Sequence, residues 1–296
     1  MYNIEVAIAF PSAMALGVTG PVLRRRAASV SALVVAVLVA LSLGACASSA
    51  RKNLVPAGTT QPDKFLFDRG MAALNDKKWL TAREFFKEVF ETYTQSPFRP
   101  DAKLGVGDTY FGEGSKEALV LAINEFQEFL SFYPTSPRAD YAQFKLGMAH
   151  FKQMRTPERD QTETREAIKA FEGFVDRYPT SALMSEGQAR LRDARDRLSR
   201  ADYNVGYFYF RQKWYPGAVT RFKGVLKSDP SYTQRDAVYF YLAECLAKSN
   251  HPAEALPYLE RLIQEFNHSE FLLPARKRIA ELKTEPAPEA KVAGSR

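Results

Sequence analysis

From Asp63 to Lys283 apolar residues recur at spacings of three and four, the period of helices that turn one face inward. Inside that period one pair of positions repeats along the chain. Ala82 and Phe86 recur as Ala122 and Phe126, Ala167 and Phe171, Ala218 and Phe222, and Ala255 and Leu259. A small residue precedes each alanine: Gly70, Gly206 and Ala243 at twelve residues, Gly107 and Gly147 at longer distances. Pro134, Pro179 and Pro230 stand eight residues after three of the phenylalanines, with Thr94 and Asn267 in the same place elsewhere. The pattern predicts five helical hairpins. The small residue and the alanine fall where paired helices approach, the phenylalanine enters the same seam, and the proline ends the second helix because it lacks an N–H.

These spacings resemble the tetratricopeptide consensus. The expected fold class is all-α, a tetratricopeptide solenoid of ten helices over residues 63–283. Two segments depart from a plain array. Residues 155–164 (RTPERDQTET) lengthen the turn of the third hairpin and read as a mobile polar loop. Residues 181–211 contain no proline and alternate in charge, which predicts one long helix joining the third and fourth units.

The ends read differently. Arg24, Arg25 and Arg26 precede an apolar run from Ala27 to Leu43, followed by Leu43-Gly44-Ala45-Cys46. A basic region, an apolar region and small residues at a cleavage site make an export signal. The last four residues resemble the lipobox of bacterial lipoproteins, which implies that Cys46 is acylated and becomes the first residue. An uncleaved membrane anchor is the alternative, and it places the folded body on the same side. One myristoyl-sized chain holds a protein only marginally, at about 0.8 kcal/mol per buried CH₂, whereas the resemblance implies three. Ala47, where an aspartate would favour the inner membrane, implies the outer membrane and its periplasmic side. The division is therefore residues 1–45 as leader and signal (with Met14 an alternative start), 46–62 as lipidated tether, 63–283 as repeats, and 284–296 as a solvated tail.

The formal net charge is +7, and without the three arginines and one glutamate before Cys46 it is +5. Basic residues are interleaved with acids and form no dense block, which argues against nucleic acid as a partner. Cys46 and Cys245 make no disulfide framework, and His150, His251 and His268 have no ligand-spaced partners, so no metal or other cofactor is expected. Cys245 reads as a small buried residue. The glycine-rich GDTYFGEG (residues 107–114) lacks the Gly-Lys-Ser/Thr of a phosphate loop. No catalytic frame appears, and the chain is read as a binding protein and not an enzyme.

On the first helix of each hairpin a large apolar residue stands three before the small one: Phe67, Leu104, Phe144, Tyr203 and Phe240. Met71, Met148 and Tyr207, then Phe111, Phe151 and Phe210, continue the stripe. In a tetratricopeptide array this side is concave and suits an extended or helical apolar peptide. The alternative is that neighbouring first helices bury the stripe.

Lipobox, short tether and five units together resemble the BamD family, the lipoprotein of the outer-membrane β-barrel assembly machine. Two stretches carry the likeness: Phe129–Gly147 with its Pro134-Thr135-Ser136-Pro137 turn and the pair Asp140-Tyr141, and Tyr207–Val219 with Arg211 three residues before Trp214. The resemblance implies that Arg211 and Trp214 lie where the barrel-forming subunit binds. It also implies that the N-terminal half (Phe67, Met71, Leu104, Phe111, Tyr141, Phe144, Met148 and Phe151) receives the targeting segments of unfolded outer-membrane proteins. Accessory lipoproteins are further implied partners. Two other readings remain open: a tetratricopeptide pilot lipoprotein for a pilus or secretion pore, and a cell-envelope coordinator.

The lipobox generates the first prediction. Cys46→Ser should abolish incorporation of a palmitate analogue in metabolic labelling and leave the signal uncleaved by the lipoprotein peptidase. Equal labelling of mutant and parent would refute acylation at Cys46.

Overall fold

The computed structural model describes residues 54–284; the leader, Cys46 and the last twelve residues lie outside the described residues. Residues 55–284 belong to one compact unit. Eleven α-helices and no strands occur among the described residues. Hairpin 1 is α1 (Pro62–Asn75) with α2 (Trp79–Thr92), and hairpin 2 is α3 (Arg99–Glu113) with α4 (Lys116–Phe132). Hairpin 3 is α5 (Ala139–Gln153) with α6 (Thr162–Arg177), and hairpin 4 is α7 (Met184–Arg211) with α8 (Tyr215–Ser228). Hairpin 5 is α9 (Arg235–Lys248) with α10 (Pro252–Glu265), and α11 (Leu272–Thr284) completes the array. Each helix packs chiefly on the one before and the one after it, the contact pattern of a solenoid. The fold is an all-α tetratricopeptide solenoid. The eleventh helix was not in the expected ten. It covers the apolar side of hairpin 5, where Ala275 and Leu282 are buried, a side that an unpaired last repeat would leave wet.

The repeated alanines and phenylalanines are fully buried, and so are Ala255 and Leu259. What each phenylalanine meets is glycine. A Cβ added at Gly70, Gly107, Gly147 or Gly206 would come within 2.7–2.8 Å of Phe86, Phe126, Phe171 or Phe222 respectively. Phe86 is also closed in from the next hairpin, since a Cβ on Gly105 would meet it at 2.7 Å. In hairpin 5 both partners change together: Ala243 replaces the glycine and Leu259 the ring, and both are fully buried. The pair conserves volume across the seam.

Tight turns within hairpins need one residue in the left-handed region. Lys77, Gly114, Lys213 and Asn250 supply it, with φ of 58°, 73°, 60° and 66°. Hairpin 3 has the longer connection instead. Its loop is held in place: Gln161 Nε2 donates to the carbonyls of Thr156 (2.8 Å) and Arg159 (2.9 Å), while Arg197 on α7 donates to the Arg155 carbonyl (2.9 Å) and Asn204 to Glu158 (3.0 Å). The expected mobile loop is thus fastened, because α7 extends far enough to bind it.

Second helices all end two residues before the proline position, including α2 and α10, which lack the proline. Proline is therefore not what ends them. Hairpins 1, 3, 4 and 5 share another feature, a serine or threonine in the turn that reaches back to an aspartate on the preceding first helix. Ser96 donates to Asp63 (2.7 Å), Ser181 to Asp140 (2.6 Å) and Ser269 to Asp236 (2.6 Å). Each serine oxygen also accepts a backbone N–H, from Phe98, Leu183 and Phe271. In hairpin 4 the long α7 places the aspartate further along the helix, and Thr233 donates to Asp196 at 3.0 Å. There Asp229 takes the position held elsewhere by Tyr93, Tyr133, Tyr178 and Phe266. It accepts from both terminal nitrogens of Arg192 and from Ser199 (2.8 Å). Burial alone would raise the Asp229 pKa, but Arg192 and Ser199 outweigh it and hold the carboxyl below its usual range.

This packing has two testable consequences. Gly206→Ala gains about 0.5–1 kcal/mol of helix propensity but overpacks Phe222 at about 1–3 kcal/mol, so the melting temperature should fall. Adding Phe222→Leu should restore part of the loss, reproducing the Ala243–Leu259 pairing; strictly additive losses in a double-mutant cycle would disprove the seam. Asp229→Asn should cost about 1–3 kcal/mol at neutral pH. A depressed carboxylate contributes stability above its unfolded value near 3.9 and loses it as pH falls through the native one. The gap between mutant and parent should accordingly narrow in melts taken below pH 4.

Candidate binding surfaces

Two surfaces carry the residues singled out by sequence. The first is the row of first helices in hairpins 1 to 3. Leu104 and Phe144 are 2% and 6% exposed and belong to the core, so they do not line a groove. The cause is geometric: a residue three before the glycine shares its face and packs on the same ring. Phe144 lies 6.1 Å from Phe171 and 5.8 Å from Phe174, centroid to centroid. Phe67 is half-buried, stacked on Phe98 at 5.2 Å. Met71 is exposed, while Met148 and Phe151 are half-buried, Phe151 edge-on to Phe171 at 6.3 Å.

Phe111 and Tyr141 are half-buried and dressed in charge. The ammonium groups of Lys145 and Lys152 lie 4.0 and 3.7 Å from the Phe111 ring centre, and Arg138 lies 4.7 Å from that of Tyr141. The Tyr141 hydroxyl donates to Asp108 at 2.9 Å, and Lys145 pairs with the same carboxylate at 3.2 Å. Burial raises the Asp108 pKa despite Lys145 and Tyr141. The same burial, with Lys145 beside it, lowers that of Lys152. The surface between hairpins 2 and 3 is aromatic and cationic, where the sequence suggested an apolar one.

The second surface lies at the tip of hairpin 4. Arg211 is the last residue of α7, is exposed, and makes no ion pair among the described residues. Lys213 turns the chain, and Trp214 precedes α8. Trp214 sits edge-on to Tyr209 at 4.6 Å. It also lies over Gly217, where a Cβ would meet its ring at 2.6 Å. The indole is fixed on that glycine yet 55% exposed, and Phe208 nearby is 57% exposed. A cleft of about 560 Å³ runs beside Trp214 between α7 and α8, past Asp202, Thr220 and Gly224. A rigid exposed aromatic three residues along the chain from a guanidinium with no ion pair among the described residues has the composition of an interface hot spot. The sequence reached Arg211 and Trp214 but not Phe208 or the cleft, which Gly217 and Gly224 line.

Burial, reinforced by Glu244, pushes the Cys245 thiol up to about 12, so it stays protonated. His150 is buried against Glu163, with Nδ1 at 2.8 Å. Among the described residues no group of His, Cys, Asp and Glu is placed to hold a metal ion.

A family model described as an outer membrane lipoprotein, YfiO, matches residues 59–251, and a tetratricopeptide repeat model matches residues 237–269. The outer membrane protein assembly factor BamD of Caulobacter vibrioides is 28% identical over 212 residues, covering 71% of this chain and 68% of that one. BamD of Neisseria gonorrhoeae is 24% identical over 257 residues, 82% of this chain and 94% of its own. BamD of Rickettsia prowazekii is 24% identical over 203 residues, 68% and 78% of the two chains. The YfiO match spans hairpins 1 to 4 and α9, well over half of the chain, and the chain therefore belongs to the YfiO family of outer membrane lipoproteins.

Proposed function

We propose that this protein is a lipid-anchored scaffold that helps assemble outer-membrane proteins, with Cys46 as its acylated residue and residues 46–62 as a tether. The relatives at 22–28% identity are all named for that role. No helix among the described residues is long and apolar enough to cross a membrane. The observation that carries the reading is the tip of hairpin 4, where Arg211, with no ion pair among the described residues, and the fixed, exposed Trp214 flank one turn inside the family match.

In this reading Arg211 and Trp214 dock the barrel-forming subunit. A guanidinium pairs a carboxylate through two parallel N–H bonds, and Trp214 supplies apolar area with little entropy to lose, since Gly217 and Tyr209 already hold its ring. The first helices of hairpins 1 to 3 receive unfolded client segments through Met71, Phe111, Tyr141 and Phe151. Aromatic side chains of a client stack on these rings, and acidic or carboxylate groups meet Arg138, Lys145 and Lys152.

Arg211→Glu should weaken the complex with the periplasmic domains of the barrel-forming subunit by about 2 kcal/mol or more through like-charge repulsion. Because Arg211 is exposed, the substitution should leave stability within about 0.5 kcal/mol of the parent. Calorimetric titration of both proteins against those domains checks this. Matching affinities would make Arg211 an ordinary surface residue and move the contact elsewhere.

A further inference from the structure

Hairpins 4 and 5 carry a third site, apart from both surfaces above. A pocket of about 490 Å³ opens between α7, α9, the loop of hairpin 3 and the turn before α11. Three tyrosines form its wall. Tyr203 and Tyr207 are stacked at 6.0 Å, Tyr207 stands edge-on to Tyr241 at 4.9 Å, and Tyr241 edge-on to Phe271 at 5.7 Å. Burial first, then Tyr207 and Glu270, pushes the Tyr241 hydroxyl up to about 12, so that ring stays neutral at physiological pH.

The rim is acidic. Glu158, Asp236 and Glu270 line it, against one basic side chain, Arg200. Arg200 is already engaged, 5.5 Å from the Tyr203 ring centre. The carboxylates are held by neutral donors: Ser269 donates to Asp236 at 2.6 Å and Asn204 to Glu158 at 3.0 Å. Glu270 is exposed and forms no ion pair among the described residues. Three carboxylates facing one committed guanidinium leave uncompensated negative charge, on a chain whose formal net charge is +7. The extended loop of hairpin 3, which the repeat pattern leaves unexplained, is what delivers Glu158, through Asn204 on the lengthened α7.

We infer that this pocket binds a lysine or arginine side chain presented by an extended peptide segment of a partner protein. The faces of the tyrosine rings attract a cation through their quadrupoles, an effect that grows when the cation is partly desolvated. The rim carboxylates add the charge that orients it. Other occupants fit less well. An anion meets net negative charge. An apolar side chain strips water from the carboxylates and gives nothing back. A metal ion needs converging ligands, and the three acids do not converge. The pocket lies on the first-helix side of the array, along which an extended chain can run from one hairpin to the next.

The test uses the full-length lipidated protein in detergent, with tyrosine rings ¹³C-labelled and the Tyr207 and Tyr241 signals assigned by phenylalanine substitution. The probes are capped heptapeptides of glycine and serine with arginine, lysine, norleucine or glutamate at the centre. Arginine and lysine peptides should shift the Tyr207 and Tyr241 signals, with dissociation constants at least tenfold below those of the other two. Glu158→Gln with Glu270→Gln, both exposed positions, should raise the arginine-peptide constant at least fivefold without lowering the melting temperature. Equal binding of the norleucine peptide, unchanged affinity in the double variant, or shifts confined to other rings would each overturn the assignment. So would capped arginine alone binding as tightly as the peptide, because the site would then take a free cation. None of these outcomes bears on Arg211, so the docking surface is judged separately.

Discussion

A benzene ring laid against a bare helix backbone is the contact on which this molecule depends. Phe86 shows it most fully, closed in by Gly70 of its own hairpin and Gly105 of the next. Fully burying such a ring is worth about 1.5–3 kcal/mol, and the glycines let the backbones come close enough to capture it. One side chain therefore fixes both the pairing inside a hairpin and the stacking of its neighbour. Gly187 against Phe174 makes the same join between hairpins 3 and 4. Because a solenoid has no distant contacts to fall back on, these rings carry stability that a globular protein spreads over many residues.

A second set of contacts reinforces these seams. The bonds from Ser96, Ser181 and Ser269 to Asp63, Asp140 and Asp236 each tie a turn to the start of its own hairpin. A typical net value is about 1 kcal/mol per bond, too little to build the fold but enough to choose one orientation. Hairpin 4 departs from the rule because α7 is 28 residues long. Its extra turns carry Arg192, Asp196 and Ser199 to the point where the other units have a half-buried aromatic cap. A charged cluster around Asp229 takes over that role. The same extra length provides Asn204 and Arg197, which fasten the loop of hairpin 3. One long helix thus makes both the joint and the third carboxylate of the tyrosine pocket.

Which parts of this were legible in sequence depends on how local each cause is. The Ala-x₃-Phe spacing and the small residue before it are local and repeated, so the hairpins could be read directly. Leu104 and Phe144 were assigned to a groove because they share a stripe with Met148 and Phe151. The stripe is wider than the exposed part of the helix, and only packing shows which rows are covered. The serine–aspartate ties join residues 33 to 41 positions apart, beyond any periodicity, and α11 carries no Ala-x₃-Phe pair to mark it. Arg211 and Trp214 were reached by family resemblance. Their exposure, and the support of Trp214 by Gly217 across the turn, belong to the folded chain.

The first-helix side of the array is chemically uneven, and the unevenness bears on how a scaffold selects. Around Phe111 and Tyr141 the rings carry Lys145, Lys152 and Arg138; around Tyr207 and Tyr241 they carry Glu158, Asp236 and Glu270. The two patches centre on α5 and α9, two first helices apart, which at about 10 Å per packed helix is on the order of 20 Å. Screening in physiological salt extinguishes exposed charge over about 8 Å. The rings of each patch are therefore screened from the exposed charges on the other's first helix. Each reads only the side chains that touch it, where partial burial against aromatic faces keeps the interaction from being screened away. Discrimination along such a surface is local at every hairpin, and a segment is recognised by the order in which its charges and rings meet those of the stack.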